Sequence, residues 1–197
     1  MTALVIDRKK GLSMSAIGGL ALSFDIPLIR LTNGDIWSVQ IMRSVLLVAT
    51  GLAIWAFVRF AFKRREVLVP GAYGWAVLVL YGISTVLFFY AVFETSTANL
   101  VFILAFNPMF GALFGWLILG ERPKWQTFLA MIVMAAGVYI IVQAGLSKGH
   151  VLGDLAALAS ALLISLGIVL TRASGREMGY VSLLSAIIPA IVAGWFV

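Results

Sequence analysis

Cysteine is absent from the 197 residues, so this chain has neither a disulfide framework nor a thiolate metal site. Histidine occurs once, as His150 beside Lys148 and Gly149 in a predicted loop, which leaves metal chemistry without a ligand set. Enzyme signatures are missing too. There is no Gly-x-Ser-x-Gly nucleophile elbow, no His-Glu-x-x-His zinc motif and no phosphate-cradling P-loop, so neither a hydrolase nor an ATP-driven pump has support. A retinal-type receptor needs a lysine inside the membrane for its Schiff base, and the last lysine, Lys148, falls between apolar runs. Charge is scarce as well: Asp, Glu, Lys and Arg make up 11% of the chain against 62% hydrophobic residues. With a mean hydropathy of +1.09, that balance excludes an ordinary soluble domain.

What the chain does have is long apolar runs. Hydropathy places seven membrane spans at 12–31, 36–58, 73–93, 96–119, 125–145, 152–171 and 179–197. The expected class is all-α, a polytopic membrane helical bundle. The formal charge of +6 does not point to nucleic acid, because the basic residues cluster in short segments between apolar runs. Arg8, Lys9, Lys10, Arg59, Lys63, Arg64, Arg65, Arg122, Lys124, Arg172 and Arg176 fall on one side and only Arg30 and Lys148 on the other. That bias predicts a cytoplasmic N-terminus. The basic N-terminus superficially resembles a signal peptide, but Asp25 and Arg30 interrupt the region beyond it, so the segment reads as a retained first span.

The fourth span organises the rest. Thr95, Asn99, Ile103 and Asn107 recur at intervals of four and share one helix face, a face suited to protein or water rather than lipid. Pro108 then removes a backbone donor and frees the Leu104 carbonyl, a break tolerated only where it is buried or lines a cavity. Gly120-Glu121-Arg122-Pro123 closes the span abruptly.

Other polar groups interrupt the apolar runs. Asp25 lies ~20 Å from one membrane face and Arg43 ~10 Å from the other, depths that coincide in a ~30 Å core. A mid-membrane charge costs ~2.5–3.5 kcal/mol, so an Asp25–Arg43 pair is expected, either as a structural clamp or with Asp25 as a proton-coupling or substrate-amine site. Tyr81, Ser84 and Phe88 form an aromatic and hydroxyl stripe suited to an amphiphilic metabolite, a pattern that core packing also produces. Ser23 and Pro27 sit one turn apart, where the proline serves a packing kink or a gate. Gly111 and Gly115 form a GxxxG whose expected use is close approach of two helices of this chain, with a dimer face as the alternative.

Asp154–Leu162 in the sixth span resembles Ala16–Phe24 in the first in its density of small residues. A five-span unit starting inside would place a second copy in inverted orientation, the architecture of many secondary transporters. The expected division is therefore 1–147 and 148–197. Two copies need ten spans, so a chain stopping at Val197 in its seventh is expected to be incomplete.

Asn107-Pro108 in mid-span, the Gly120-Glu121-Arg122 closure, Arg43 in the second span and Gly153-Asp154-Leu155 opening the sixth together resemble the EamA-type permeases of the drug/metabolite transporter superfamily, over essentially the whole chain. The resemblance implies two inverted five-helix repeats in a bacterial cytoplasmic membrane, and a central cavity lined by the first, third and fourth spans of each repeat. It implies alternating-access transport of a small metabolite such as an amino acid, with efflux as the direction. A non-transporting or partner-dependent membrane protein is the alternative. The cavity set is then Ser23, Tyr81, Ser84, Phe88, Asn99, Asn107 and Ser160, with Asp25 and Arg43 as a charge pair and Pro27 and Pro108 as hinges. Expected partners are the small-molecule substrate, the lipid bilayer and protons as coupling ion, with no nucleic acid and no cofactor; oligomeric state stays open.

Overall fold

In hydrocarbon every backbone N–H and C=O must be satisfied inside its own segment, so long apolar runs fold as helices. The computed structural model describes residues 8–32, 34–61, 67–146, 151–176 and 178–197, and among these it is a helical bundle without strands. Lys63, Arg64, Arg65, Lys148, His150 and the boundary expected at 147/148 lie outside the described residues. The chain separates into two units, Met1–Gly34 and Asp35–Val197.

The first unit holds α1 (Arg8–Ser23) and α2 (Asp25–Leu31), separated at Phe24. Pro27 falls in the first turn of α2, where a missing N–H breaks no helical bond. The Leu28 N–H returns to the Phe24 carbonyl at 3.0 Å, so the helical path resumes at once.

The second unit contains α3 (Ile36–Ala61), α4 (Gly71–Glu94), α5 (Thr97–Leu104), α6 (Asn107–Leu119), α7 (Trp125–Leu146), α8 (Val151–Ser174), α9 (Gly179–Leu184) and α10 (Ile187–Phe196). Among the described residues, six stretches are long and apolar enough to cross a membrane, and α7 adds a helix of 22 residues. Every expected span is therefore found as a helix or helix pair, with ends within four residues of those read from hydropathy.

The fourth span is broken at Ala105–Phe106. There the Phe106 N–H turns back to Ile103 at 3.1 Å and the Met109 N–H to Phe106 at 2.9 Å, both tight three-residue closures. Pro108 thus stands in the first turn of a new helix, not in the middle of an old one. The seventh span is broken in the same manner at Ser185–Ala186, where Ile188 N–H closes on Ser185 at 3.2 Å just before Pro189. Left-handed Gly120, at φ +70°, ends α6, its N–H returning to Trp116 at 3.1 Å.

Helix α8 is the hub. It runs antiparallel to α4, with Gly153 against Glu94, Ser160 against Ser84 and Gly167 under the Tyr81 ring. It runs parallel to α5 and α6, with Asp154 beside Asn99, Ser165 beside Asn107 and Arg172 beside Glu121. Along the other side of the unit, α3 packs antiparallel on α9 and α10: Gly51 meets Leu183, and Trp37 stacks on Phe196 with ring centroids 4.4 Å apart. Phe106, Phe110 and Ala161 form one buried cluster, and Val77, Leu78, Met178, Val181 and Leu184 another.

Glycine mediates the closest approaches, but not at the expected motif. A Cβ on Gly111 meets nothing within 4 Å, whereas one on Gly82 comes within 2.5 Å of Ile188 and one on Gly153 within 2.7 Å of the Glu94 backbone. Gly153 and Gly167 of α8 face α4, Gly82 faces α10 and Gly51 faces α9, whereas a spacing of four on α6 does not decide which face another helix crosses.

Candidate functional site

Polar side chains line up where α8 meets the third and fourth spans. Ser96 caps α5 by accepting from the Asn99 N–H at 3.2 Å, which sets the first turn of α5 against the first turn of α8. Asp154 is fully buried there: the Thr95 hydroxyl donates to its Oδ1 at 2.5 Å, and Asn99 Nδ2 lies 3.3 Å from each carboxylate oxygen. One level further along, Ser84 and Ser160 each donate to the other's backbone carbonyl at 2.9 Å, their hydroxyl oxygens 3.0 Å apart. At the helix break, Ser165 Oγ donates to the Asn107 carbonyl at 3.1 Å and sits 3.4 Å from its Oδ1. At the far end Glu121 and Arg172 pair at 2.6 Å, both about half exposed.

Of the expected cavity residues, the structure brings Ser84, Ser160, Asn99 and Asn107 onto this one seam. Thr95, Asn99 and Asn107 each meet an α8 residue, and Ile103 between them is fully buried, so the shared face lies against protein. Tyr81 belongs to the same crossing, its ring over Gly167 and its hydroxyl on the Thr171 side chain. Phe88 is half-buried and meets Phe89 edge to face at 6.0 Å.

Ser23, Asp25 and Pro27 belong to the first unit. Ser23 is exposed and its hydroxyl donates to the Gly19 carbonyl at 2.9 Å. Asp25 is half-buried and opens α2. Arg43 belongs to the second unit, where its guanidinium carbon lies 5.1 Å over the Phe89 ring.

Two features escaped the reading from sequence. Asp154 joins the seam as its one buried carboxylate among the described residues; its position at the opening of the sixth span carried a resemblance but no partner. Gln40, one turn before Ser44 in α3, is 1% exposed, and so is Ser44. A polar pair four residues apart inside an apolar run was the available signal. A groove of about 430 Å³ between α3 and α10, lined by Val45, Leu52, Ile187 and Ile191 among others, is aliphatic and suits acyl chains rather than a polar solute.

Hydroxyls, amides and one carboxylate among broken helices can bind, orient and release a polar solute. Comparison with known proteins agrees with that chemistry. A curated relative, solute carrier family 35 member G1 of Mus musculus, is 27% identical over 115 residues, which are 51% of this chain and 31% of the relative. The chain therefore spans well under two thirds of that protein's length. No solved structure matches the chain. The EamA-like transporter family matches residues 9–143, more than half of the chain, and the chain belongs to that family.

Proposed function

We propose that the protein carries a small polar metabolite, with an amino acid as the leading class, outward across the cytoplasmic membrane by alternating access coupled to protons. The observation that carries this reading is the break of the fourth span at Ala105–Phe106, with Asn107 and Ser165 meeting at the break. A discontinuous helix inside a membrane exposes backbone carbonyls and the positive end of a half-helix, and secondary transporters set their substrate sites at such points. Family membership and the solute-carrier relative support the same reading.

In this mechanism Asn107, with Asn99, Ser84, Ser160, Tyr81 and Phe88 nearby, supplies hydrogen bonds and an aromatic wall to the solute. The Ser84–Ser160 and Ser165–Asn107 contacts that tie α4 and α6 to α8 part and re-form as the two ends of the seam open in turn. Purified protein in proteoliposomes, loaded with pooled labelled metabolites under an imposed proton gradient, tests it. Gradient-dependent efflux is expected; no flux of any metabolite class from folded protein overturns the reading.

A further inference from the structure

Between α6 and α7 the chain reads Gly120-Glu121-Arg122-Pro123-Lys124, a polar turn with Trp116 one helical turn before it and Trp125 directly after it. Its start is fixed by the backbone: left-handed Gly120 returns its N–H to Trp116 at 3.1 Å, and the Glu121 N–H returns to Gly115 at 3.2 Å. Glu121, the one acid of the turn, is taken up by Arg172 of α8 at 2.6 Å. Arg122 and Lys124 are exposed, and neither side chain has a hydrogen bond or ion pair among the described residues, so the turn keeps a local surplus of positive charge. Further from the turn α7 packs closely, with Gly137 against the Phe106 ring and Met134 against the Phe106–Phe110 cluster. Toward the turn a groove of about 420 Å³ opens, lined by Trp116, Arg122, Pro123, Trp125 and Phe128. Trp125 stacks on Phe128 with ring centroids 5.8 Å apart and is 73% exposed.

A turn between two spans lies at the membrane surface, where indole rings settle at headgroup level and basic residues attract anionic lipid. The groove lining follows the order of groups in a phospholipid: a guanidinium at the turn, indoles beside it, and an aromatic ring three residues further into the span. A guanidinium fork matches two phosphate oxygens, and a lipid without a cation of its own is favoured beside Arg122 and Lys124. A second copy docked here about a twofold axis would set the same two cations against themselves, so charge disfavours it. We propose that the α6–α7 groove binds one anionic glycerophospholipid. Arg122 holds the phosphate, Lys124 adds to the field, Trp116 and Trp125 lie at the glycerol-ester level, and Phe128 packs on the top of an acyl chain. None of these residues belongs to the α8 seam, so the proposal stands or falls independently of the transport reading.

The test is native mass spectrometry of the delipidated full chain in detergent, titrated with dioleoyl phosphatidylglycerol or dioleoyl phosphatidylcholine. Wild type is expected to hold one phosphatidylglycerol about tenfold more tightly than phosphatidylcholine and to keep it in excess inorganic phosphate. Arg122→Gln should weaken phosphatidylglycerol binding about tenfold. Arg176→Gln, which removes an exposed cation beyond the end of α8, should change it by less than about twofold. A second measurement uses vesicles: at equal mole fraction, phosphatidylglycerol brominated near the top of its acyl chains should quench wild-type tryptophan fluorescence more than brominated phosphatidylcholine does, and Trp125→Phe should remove at least half of that excess. Equal losses in the two arginine variants mean diffuse surface charge and overturn the site. Equal affinity for the two lipids, displacement by inorganic phosphate, an excess of quenching untouched by Trp125→Phe, or a lipid-free dimer that Arg122→Gln dissociates also overturns it.

Discussion

The Thr95 hydroxyl donates to Asp154 Oδ1 at 2.5 Å, joining the end of α4 to the first turn of α8 around a carboxylate that no solvent reaches. Asn99 adds its amide from α5, so three helices meet on one side chain. A buried carboxylate that loses a donor keeps its desolvation cost without the compensating bond. Thr95→Val, nearly equal in shape, is therefore expected to destabilise the protein by ~1–3 kcal/mol. Reversible unfolding in mixed detergent micelles measures this. In a cycle with Asp154→Asn the two changes should fall short of additivity, as residues sharing one bond do.

Ser84 and Ser160 bond reciprocally across the α4–α8 crossing, and the symmetry of the pair sets its mutational signature. Each single change to alanine should cost ~0.6–2 kcal/mol, the range for polar contacts between membrane helices. The double change should cost about the sum, because each hydroxyl donates to a backbone carbonyl that substitution of the other serine leaves in place, and only the 3.0 Å approach of the two hydroxyl oxygens couples them.

The glycines separate by what stands opposite them. A Cβ on Gly153 falls 2.7 Å from the Glu94 carbonyl carbon, and backbone cannot swing aside. Gly153→Ala should cost ~1–3 kcal/mol by forcing α4 and α8 apart. Gly111 has open space, so Gly111→Ala should be neutral or stabilise the helix by ~0.5–1 kcal/mol. Unfolding midpoints of the two variants should move in opposite directions, or one should move alone.

Glu121 and Arg172 offer a contrast. Their 2.6 Å separation is short, but both side chains are more than half exposed, so water and salt screen the pair. Arg172→Gln should change stability by no more than ~1 kcal/mol, an effect that 0.5 M salt in the unfolding assay should shrink further.

At the break in the fourth span, Asn107→Ala removes a side-chain amide while leaving its backbone carbonyl to accept from Ser165. Folding should survive and counterflow should fall at least tenfold; equal flux in a well-folded variant removes Asn107 from the substrate path.

Span positions were legible because membrane thickness imposes a run length that composition reveals directly. The Thr95–Asn99–Asn107 face was legible for a similar reason, since polar groups at a spacing of four must turn away from lipid. Which surface they turn toward was not, because the partners Asp154 and Ser165 lie more than fifty residues away and no local periodicity encodes the pairing. Pro108 announced its break through the asparagine before it, whereas Pro189 sits in an unbroken aliphatic run, Ile187-Ile188-Pro189-Ala190-Ile191, and escaped notice. The GxxxG on α6 misled for a geometric reason: small residues permit approach without specifying that another helix is there. Gln40 was passed over because a single amide in a 26-residue helix barely alters hydropathy.

The centrality of α8 also has a temporal side. A ribosome delivers α3, α4, α5 and α6 before α8, so Ser84, Thr95, Asn99 and Asn107 enter the membrane before the residues that satisfy them exist. During that interval the nascent spans must shelter their polar faces against the translocation machinery, a chaperone or one another. Arrival of the sixth span then closes these polar contacts together, before α9 and α10 follow to pack on α3.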